Sequence, residues 1–264
     1  MNSGARIHAE SLCKTFSSQQ HTTRAFENLS FDIKAGEFVC LLGPSGCGKS
    51  TVLSIMNGLE QPTSGTLTIQ SDQTSKSDIS VGMVFQDHGL FPWMTLQANI
   101  RFILDNQPEM KSCDTEALSR HHLEQVGLGK FLNYYPHQLS GGMKQRASIA
   151  RSFAVNPDLL LMDEPFVFLD YQTRMQIQQM LMKLWLNANK TVVFVTHDIE
   201  EAVLLADRII VMTAHPGTIK EIIPVDLPRP RDFFALKKDD HFHQLVQRAS
   251  KLIQEELNDM GVRI

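Results

Sequence analysis

The sequence predicts an α/β fold: a parallel sheet covered by helices on both faces, interrupted by a block of further helices. Three observations predict it. Short apolar runs at 38–42, 159–162, 192–195 and 209–212 read as buried strands and alternate with stretches of helical spacing. The first of these runs passes directly into a glycine-rich stretch, Gly43-Pro44-Ser45-Gly46-Cys47-Gly48-Lys49-Ser50-Thr51, and then into a helix-like run over 51–57. From about 87 to 157 the strand texture stops and apolar residues recur at helical intervals.

The glycine-rich stretch is spelled G-x-x-x-x-G-K-[ST] between a strand and a helix, the form of a phosphate-binding loop. Its glycines let the backbone curl until successive N–H groups point at one spot. The helix that starts there adds unpaired N–H groups and the positive end of its dipole. Lys49 supplies a point charge for β- and γ-phosphates, and the Ser50 hydroxyl can ligate Mg²⁺. A Gly/Ser-rich turn that binds nothing is the plainer reading, and the strand before and helix after count against it. A P-loop NTPase core is the expectation. Cys47 lies beside Lys49 and a helix N-terminus, both of which favour a thiolate; a plain small-residue role is the other reading.

Around that loop, residues from about 6 to 69 read as strands, an N-terminal antiparallel β subdomain. The stretch 26–33 alternates loosely, Lys34-Ala35-Gly36 turns the chain, and Thr66–Ile69 alternates as a strand should. Between them Gly58 closes the loop's helix, and Pro62-Thr63-Ser64-Gly65 is a turn. The polar stretch 71–78 reads as a loop, and 81–85 as a buried strand ending on Gln86. In the helical block Leu118, His122, Leu123 and Val126 share a face, Gly127 stops that helix, and a further helix is read over 147–153. A helix over about 172–188 carries Ile177, Met180, Leu181, Leu184 and Trp185 on one side. The final set, Phe242, Leu245, Val246, Ala249, Leu252 and Ile253, reads as a helix docked on the core rather than one offered to a partner. The expected organisation is a single domain over 1–264, with its core at about 1–86 and 158–264 and a helical subdomain at about 87–157.

Bulk properties exclude several classes. A net charge of −4 gives no basic field for nucleic acid. The four cysteines show neither metal-ligand spacing nor a disulfide framework, which suits a reducing compartment. Residues 1–10 lack the apolar core of a signal peptide, and no run approaches the roughly 18–20 apolar residues of a membrane span.

Beyond the loop, Asp163 stands at the C-terminal end of a buried strand, where a carboxylate can hold Mg²⁺. Glu164 beside it points elsewhere by strand alternation and is the candidate general base. His197 follows the strand after that pair, which puts it near a γ-phosphate, although a lone histidine there is more often structural; Gln86 ends the strand next to that of the phosphate loop, where an amide can reach both Mg²⁺ and the attacking water. Leu139-Ser140-Gly141-Gly142-Met143-Lys144-Gln145-Arg146 is a second anion-binding helix start. One chain has no use for two γ-phosphate sites unless the second serves a neighbour's nucleotide.

With these residues in place, the chain resembles the nucleotide-binding subunits of ABC transporters over essentially its whole length. The resemblance rests on Gly43–Thr51 as Walker A, Gln86 as the Q-loop, 139–145 as the signature, 159–164 as Walker B, Leu169-Asp170 as the D-loop and His197 as the switch histidine. It implies a head-to-tail dimer with a second copy or a homologous subunit, in which two ATP molecules lie between the P-loop of one and Ser140, Gly141 and Gly142 of the other. It also implies an aromatic that stacks on adenine, for which Phe16 fits first and Phe26 second. Leu90-Phe91-Pro92-Trp93 and the segment 222–231 look like the nitrate/sulfonate/taurine group of bacterial importers. Their ATPases sit peripherally on the cytoplasmic face of the membrane, against an integral permease and indirectly a substrate-binding protein. An export ATPase, a soluble ABC protein acting on ribosomes or DNA, and a P-loop kinase are the rival readings.

Two positions depart from the family pattern. Met143 replaces the usual Gln of the signature, and Val167-Phe168 replace the usual Ser-Ala before the D-loop Leu-Asp. Phe91 and Trp93 leave two readings open: burial within this subunit, or a groove that receives a short coupling helix from the permease.

Overall fold

The run Phe38-Val39-Cys40-Leu41-Leu42 forms a strand buried at every residue, as an unbroken apolar run requires. It belongs to a computed structural model that describes residues 4–17, 21–71 and 79–259. Among these the elements run β1 (Ala5–Ser17), β2 (Thr22–Ile33), β3 (Phe38–Leu42), α1 (Lys49–Met56), β4 (Ser64–Ser71), β5 (Val81–Val84), α2 (Leu96–Asp105), α3 (Thr115–Gln125), α4 (Gly141–Ala154), β6 (Leu159–Asp163), α5 (Tyr171–Ala188), β7 (Thr191–Thr196), α6 (Ile199–Leu205), β8 (Arg208–Met212), β9 (Ile219–Pro224), α7 (Phe233–Leu236) and α8 (Asp240–Asp259). The loop read over 71–78 lies, apart from Ser71 at the end of β4, outside the described residues. The chain divides into two compact units, residues 1–77 with 190–264, and residues 78–189.

In the first unit β3 pairs in parallel with β7 on one side and β8 on the other. The edge departs from the expected parallel sheet, because β9 runs antiparallel to β8, with Ile209 opposite Ile223. The connection explains it. Residues 213–218 fold back at once, with the Thr213 N–H donating to the Thr218 carbonyl at 2.9 Å, and so short a link can only join antiparallel strands. A separate antiparallel sheet, β2-β1-β4, carries the N-terminal strands; Ala5, Ile7 and Ala9 point inward from β1, and the residues between them point out.

The C-terminal helix α8 buries Phe242, Leu245 and Ala249 and packs against α6 and β8. Its Glu256 accepts from Lys220 of β9 at 2.7 Å. Arg231 closes the end of α6: its guanidinium donates to the carbonyls of Val203, Leu204 and Ala206 at 3.2, 2.9 and 2.9 Å, groups a helix terminus leaves unpaired. Burial brings the Arg231 pKa down to about 10.

In the second unit β5 and β6 pair in parallel, Val81 opposite Leu159. Leu96, Ile100 and Leu104 of α2, Leu123 of α3 and Ala147, Ala150 and Ala154 of α4 share one core, with Val126 beside them. Gly127 ends α3 at φ +76°, as its position predicts. On α5, Ile177, Leu181 and Trp185 are buried, with Met180 and Leu184 half-buried against the helical core.

Candidate functional site

The phosphate-binding loop folds around its own lysine. Gly46 at φ +83° and Gly48 at φ +92° turn the backbone through the left-handed region that glycine enters without penalty. Gly48 is also the N-cap of α1, so this helix begins with no capping side chain. Lys49 is 5% exposed. Its ammonium donates to the carbonyls of Gly43 and Pro44 at 2.8 and 3.0 Å and reaches Cys47 Sγ at 3.6 Å. A buried cation needs such acceptors, and the loop supplies them. Ser45, Gly46 and Ser50 form the exposed rim.

Cys47 corrects an expectation. It is fully buried, and burial pushes its thiol above the usual range against the opposing pull of Lys49. Desolvation outweighs the neighbouring charge, which favours the small-residue reading over the thiolate.

Two residues not singled out in the sequence brace this loop. Gly217 donates its N–H to the Ala25 carbonyl at 3.1 Å, and its own carbonyl accepts from the Glu27 N–H at 2.9 Å. A Cβ there would stand 2.1 Å from the Cys47 carbonyl oxygen, so only glycine fits. The imidazole of His215 lies beside Gly46. The sequence signal for both was no more than a Pro-Gly turn. The two aromatics considered for adenine also separate. Phe26 is 0% exposed and packs under Gly48, which makes it core. Phe16 is 42% exposed, with the Lys14 ammonium 4.7 Å from its ring centre.

His197 is exposed, one residue past β7. Its turn is pinned on both sides. The Thr196 hydroxyl donates to Glu201 Oε2 at 2.8 Å and accepts from the Asp198 N–H at 2.9 Å, while Asp198 caps α6 by accepting from the Glu201 N–H at 3.2 Å. Glu201, buried and unremarked in the sequence, is what orders this turn.

In the second unit β6 ends on Asp163, and Glu164 follows at φ +42°. That backbone is strained for a non-glycine by about 1–3 kcal/mol, a cost typically retained where a side chain must be aimed. Strand β5 stops at Val84 rather than running to Phe85, and Gln86 stands exposed in a turn closed by the His88 N–H on the Phe85 carbonyl at 3.2 Å. Helix α4 starts at Gly141, six residues before the expected 147, because Ser140 caps it by accepting from the Met143 N–H at 3.3 Å. Ser140 and Gly141 are exposed. Gly142 is buried, and a Cβ there would meet Thr173 Cγ2 of α5 at 2.5 Å.

A sequence profile of the ABC transporter family matches residues 26–167. An uncharacterized ABC transporter ATP-binding protein of Methanocaldococcus jannaschii is 43% identical over 227 residues, 86% of this chain and 85% of its own. The chain belongs to the ABC transporter family. Relatives of this ABC protein include a nitrate transport protein of Klebsiella oxytoca, 39% identical over 95% of this chain and 97% of its own. An aliphatic sulfonates import ATP-binding protein of Bacillus cereus is 40% identical over 92% of this chain and 93% of its own. Among solved structures, a dimeric ATP-binding cassette bound to ADP and Pi superposes with a TM-score of 0.72 at 34% identity, covering 84% of this chain and 100% of that one.

The departures of this ABC protein from its family now have surroundings. Met143 packs against the helical core, a use for an apolar residue that glutamine would not serve. Phe168 is 73% exposed and Tyr171 nearby is exposed too. Between them Asp170 caps α5, accepting from the Thr173 N–H at 3.0 Å, which holds its carboxyl below the usual range. Phe91 is half-buried, edge-on to Phe102 at 5.2 Å, while Trp93 is 69% exposed.

Proposed function

We propose that this protein is the ATP-hydrolysing subunit of an importer for a small anion, such as nitrate, taurine or another sulfonate, which crosses the membrane through a separate permease. The observation that carries this reading is the extent of the likeness: nitrate and sulfonate transport relatives align over 95% and 92% of the chain. No helix among the described residues is long and apolar enough to cross a membrane. The likeness to an import ATP-binding relative supports assigning the passage to a permease and this subunit to its cytoplasmic face. A substrate-binding protein would deliver the anion to that permease.

In this reading Gly43–Thr51 wraps the triphosphate, Lys49 meets its β- and γ-phosphates and Phe16 stacks on adenine. Ser140, Gly141 and Gly142 close over the nucleotide held by a second copy, a reading supported by a solved relative that is a dimer bound to ADP and Pi. Glu164 takes the proton of the attacking water. Gln86 and His197 report on the γ-phosphate. Among the described residues no group of three His, Cys, Asp or Glu side chains could cage a metal. The oxygen donors the sequence offers, one hydroxyl, one carboxylate and one amide, suit Mg²⁺, which keeps its waters and takes one or two carboxylates together with phosphate oxygens. Ser50, Asp163 and Gln86 are the oxygen donors that would hold it, and Mg²⁺ when bound neutralises phosphate charge. ATP must favour the closed pair over the open one for the permease to be moved.

The test is growth of cells lacking this chain on nitrate as nitrogen source and on taurine or an alkanesulfonate as sulfur source. Loss of growth on one of them, restored by the parent and not by Lys49→Ala, is expected. Unimpaired growth on all of them would overturn the anion-import reading.

A further inference from the structure

We propose that His88 and Gln145 are positioning residues that lock the Gln86 turn to the signature helix, so that what happens at Ser140–Gly142 is passed to Trp93. The inference rests on the ATPase reading above and adds a transmission element to it.

The geometry lies wholly within the second unit. Two residues beyond Gln86 the backbone takes two consecutive left-handed conformations, His88 at φ +68° and Gly89 at φ +58°. A histidine adopts that conformation at a cost, so something must hold it. The His88 Nδ1–H donates to Gln145 Oε1 at 2.5 Å. Gln145 is fully buried on α4, five residues past Ser140, and its Nε2 finds no acceptor among the described residues. A buried amide left half-satisfied is poorer packing than leucine would be, so the bond to His88 is what this glutamine contributes at its position.

The same helix takes a second grip. Arg151 donates to the Gly89 carbonyl at 2.5 Å and the His88 carbonyl at 3.5 Å, and its guanidinium lies 5.8 Å from the Phe91 ring centre. Asn99 of α2 holds the next stretch of backbone. It accepts from the Phe91 N–H at 2.7 Å and donates to the carbonyls of Phe91 and Met94, both at 3.2 Å. The segment from His88 to Met94 therefore hangs from α4 and α2 by side-chain bonds to its backbone, and it carries Trp93 on its outer side. A displacement of α4 at its N-terminus moves this segment with it. His88–Gln145 is the bond nearest that N-terminus, and removing it should weaken the coupling between the two ends, with Arg151 left as the remaining grip from this helix.

Tryptophan fluorescence reads this directly, with Trp93→Phe as the blank that isolates the Trp93 signal from Trp185. In the Glu164→Gln protein, ATP is expected to shift the Trp93 emission. His88→Ala and Gln145→Leu should each reduce that response about fivefold or more while ATP affinity by calorimetry stays within about threefold. The double variant should be no worse than either single one, because both remove the same bond. Gln145→Glu, which keeps the acceptor, should retain the response, and melting curves on each variant exclude misfolding as the cause. An unchanged Trp93 response in His88→Ala and Gln145→Leu would overturn the proposal, as would absence of any response in the Glu164→Gln protein that still binds ATP. Failure of that protein to bind ATP at all would instead overturn the ATPase reading on which the proposal rests.

Discussion

Two helix starts in this chain carry glycine-rich anion-binding signatures, and they are built in opposite senses. The start of α1 is turned inward. Its N-cap is a glycine, and Lys49 lies buried among the loop's own carbonyls. The start of α4 is turned outward. Its N-cap is Ser140, exposed together with Gly141, and the Ser140 hydroxyl serves the helix's own Met143 N–H. A loop that encloses its charge suits a ligand held by this chain. A turn that presents a hydroxyl and a bare glycine to solvent suits a ligand brought by another molecule. In the proposed reading the same local motif, a small residue and glycines before a helix, serves as a primary site in one place and a complementary surface in the other, and burial separates them.

Substitutions at and between the two starts put this contrast at risk. Glu164→Gln leaves both helix starts intact, so it should lower turnover by about 10²–10⁴-fold while calorimetry still shows ATP binding. Turnover within a few-fold of the parent would move the base elsewhere. Lys49→Ala strikes the inward start and should weaken ATP binding by roughly 10–10²-fold, the worth of a charge-assisted bond or two. Ser140→Ala strikes the outward start, where within the monomer only the cap is lost. It should lower stability by about 1 kcal/mol, or roughly 2–4 °C in a thermal melt, and leave monomer ATP affinity unchanged. A fall in that affinity would mean that Ser140 serves the chain's own nucleotide.

The smallest expected effect concerns Cys47. Its folded pKa is raised, so at pH 8 the neutral thiol predominates more than in a free cysteine, and reactivity should appear only at higher pH or on unfolding. Mass spectrometry after iodoacetamide should find exposed Cys113 modified first and buried Cys40 and Cys47 last. Early labelling of Cys47 would restore the thiolate reading.

The fold was largely legible because buried strands and helix faces write themselves into period and run length: β3, β7, β8 and the face of α5 needed only local pattern. Motif residues were legible for the same reason, since phosphate chemistry constrains spacing along one stretch of chain. What stayed hidden depends on partners far apart in sequence. Gly217 against Cys47, Glu201 under Thr196, Arg231 on the end of α6 and Gln145 on His88 are each ordinary residues until the chain brings the two together. The Cys47 error has that origin too: helix N-terminus and Lys49 could be read locally, and the burial that outweighs them could not. The antiparallel β9 escaped because its turn is set by Thr213 bonding Thr218 rather than by a hairpin dipeptide.

The central claim, that the loop holds this chain's own nucleotide and the signature turn meets a second copy's, is tested most directly by sedimentation of Glu164→Gln with and without Gly141→Glu. ATP should drive the single variant from monomer to dimer. Adding Gly141→Glu places a carboxylate on the exposed turn and should leave the protein monomeric, with ATP affinity, measured at concentrations where both variants are monomers, within about threefold of the single variant. A dimer that forms unchanged in the double variant, or an ATP affinity lost along with it, would contradict the account.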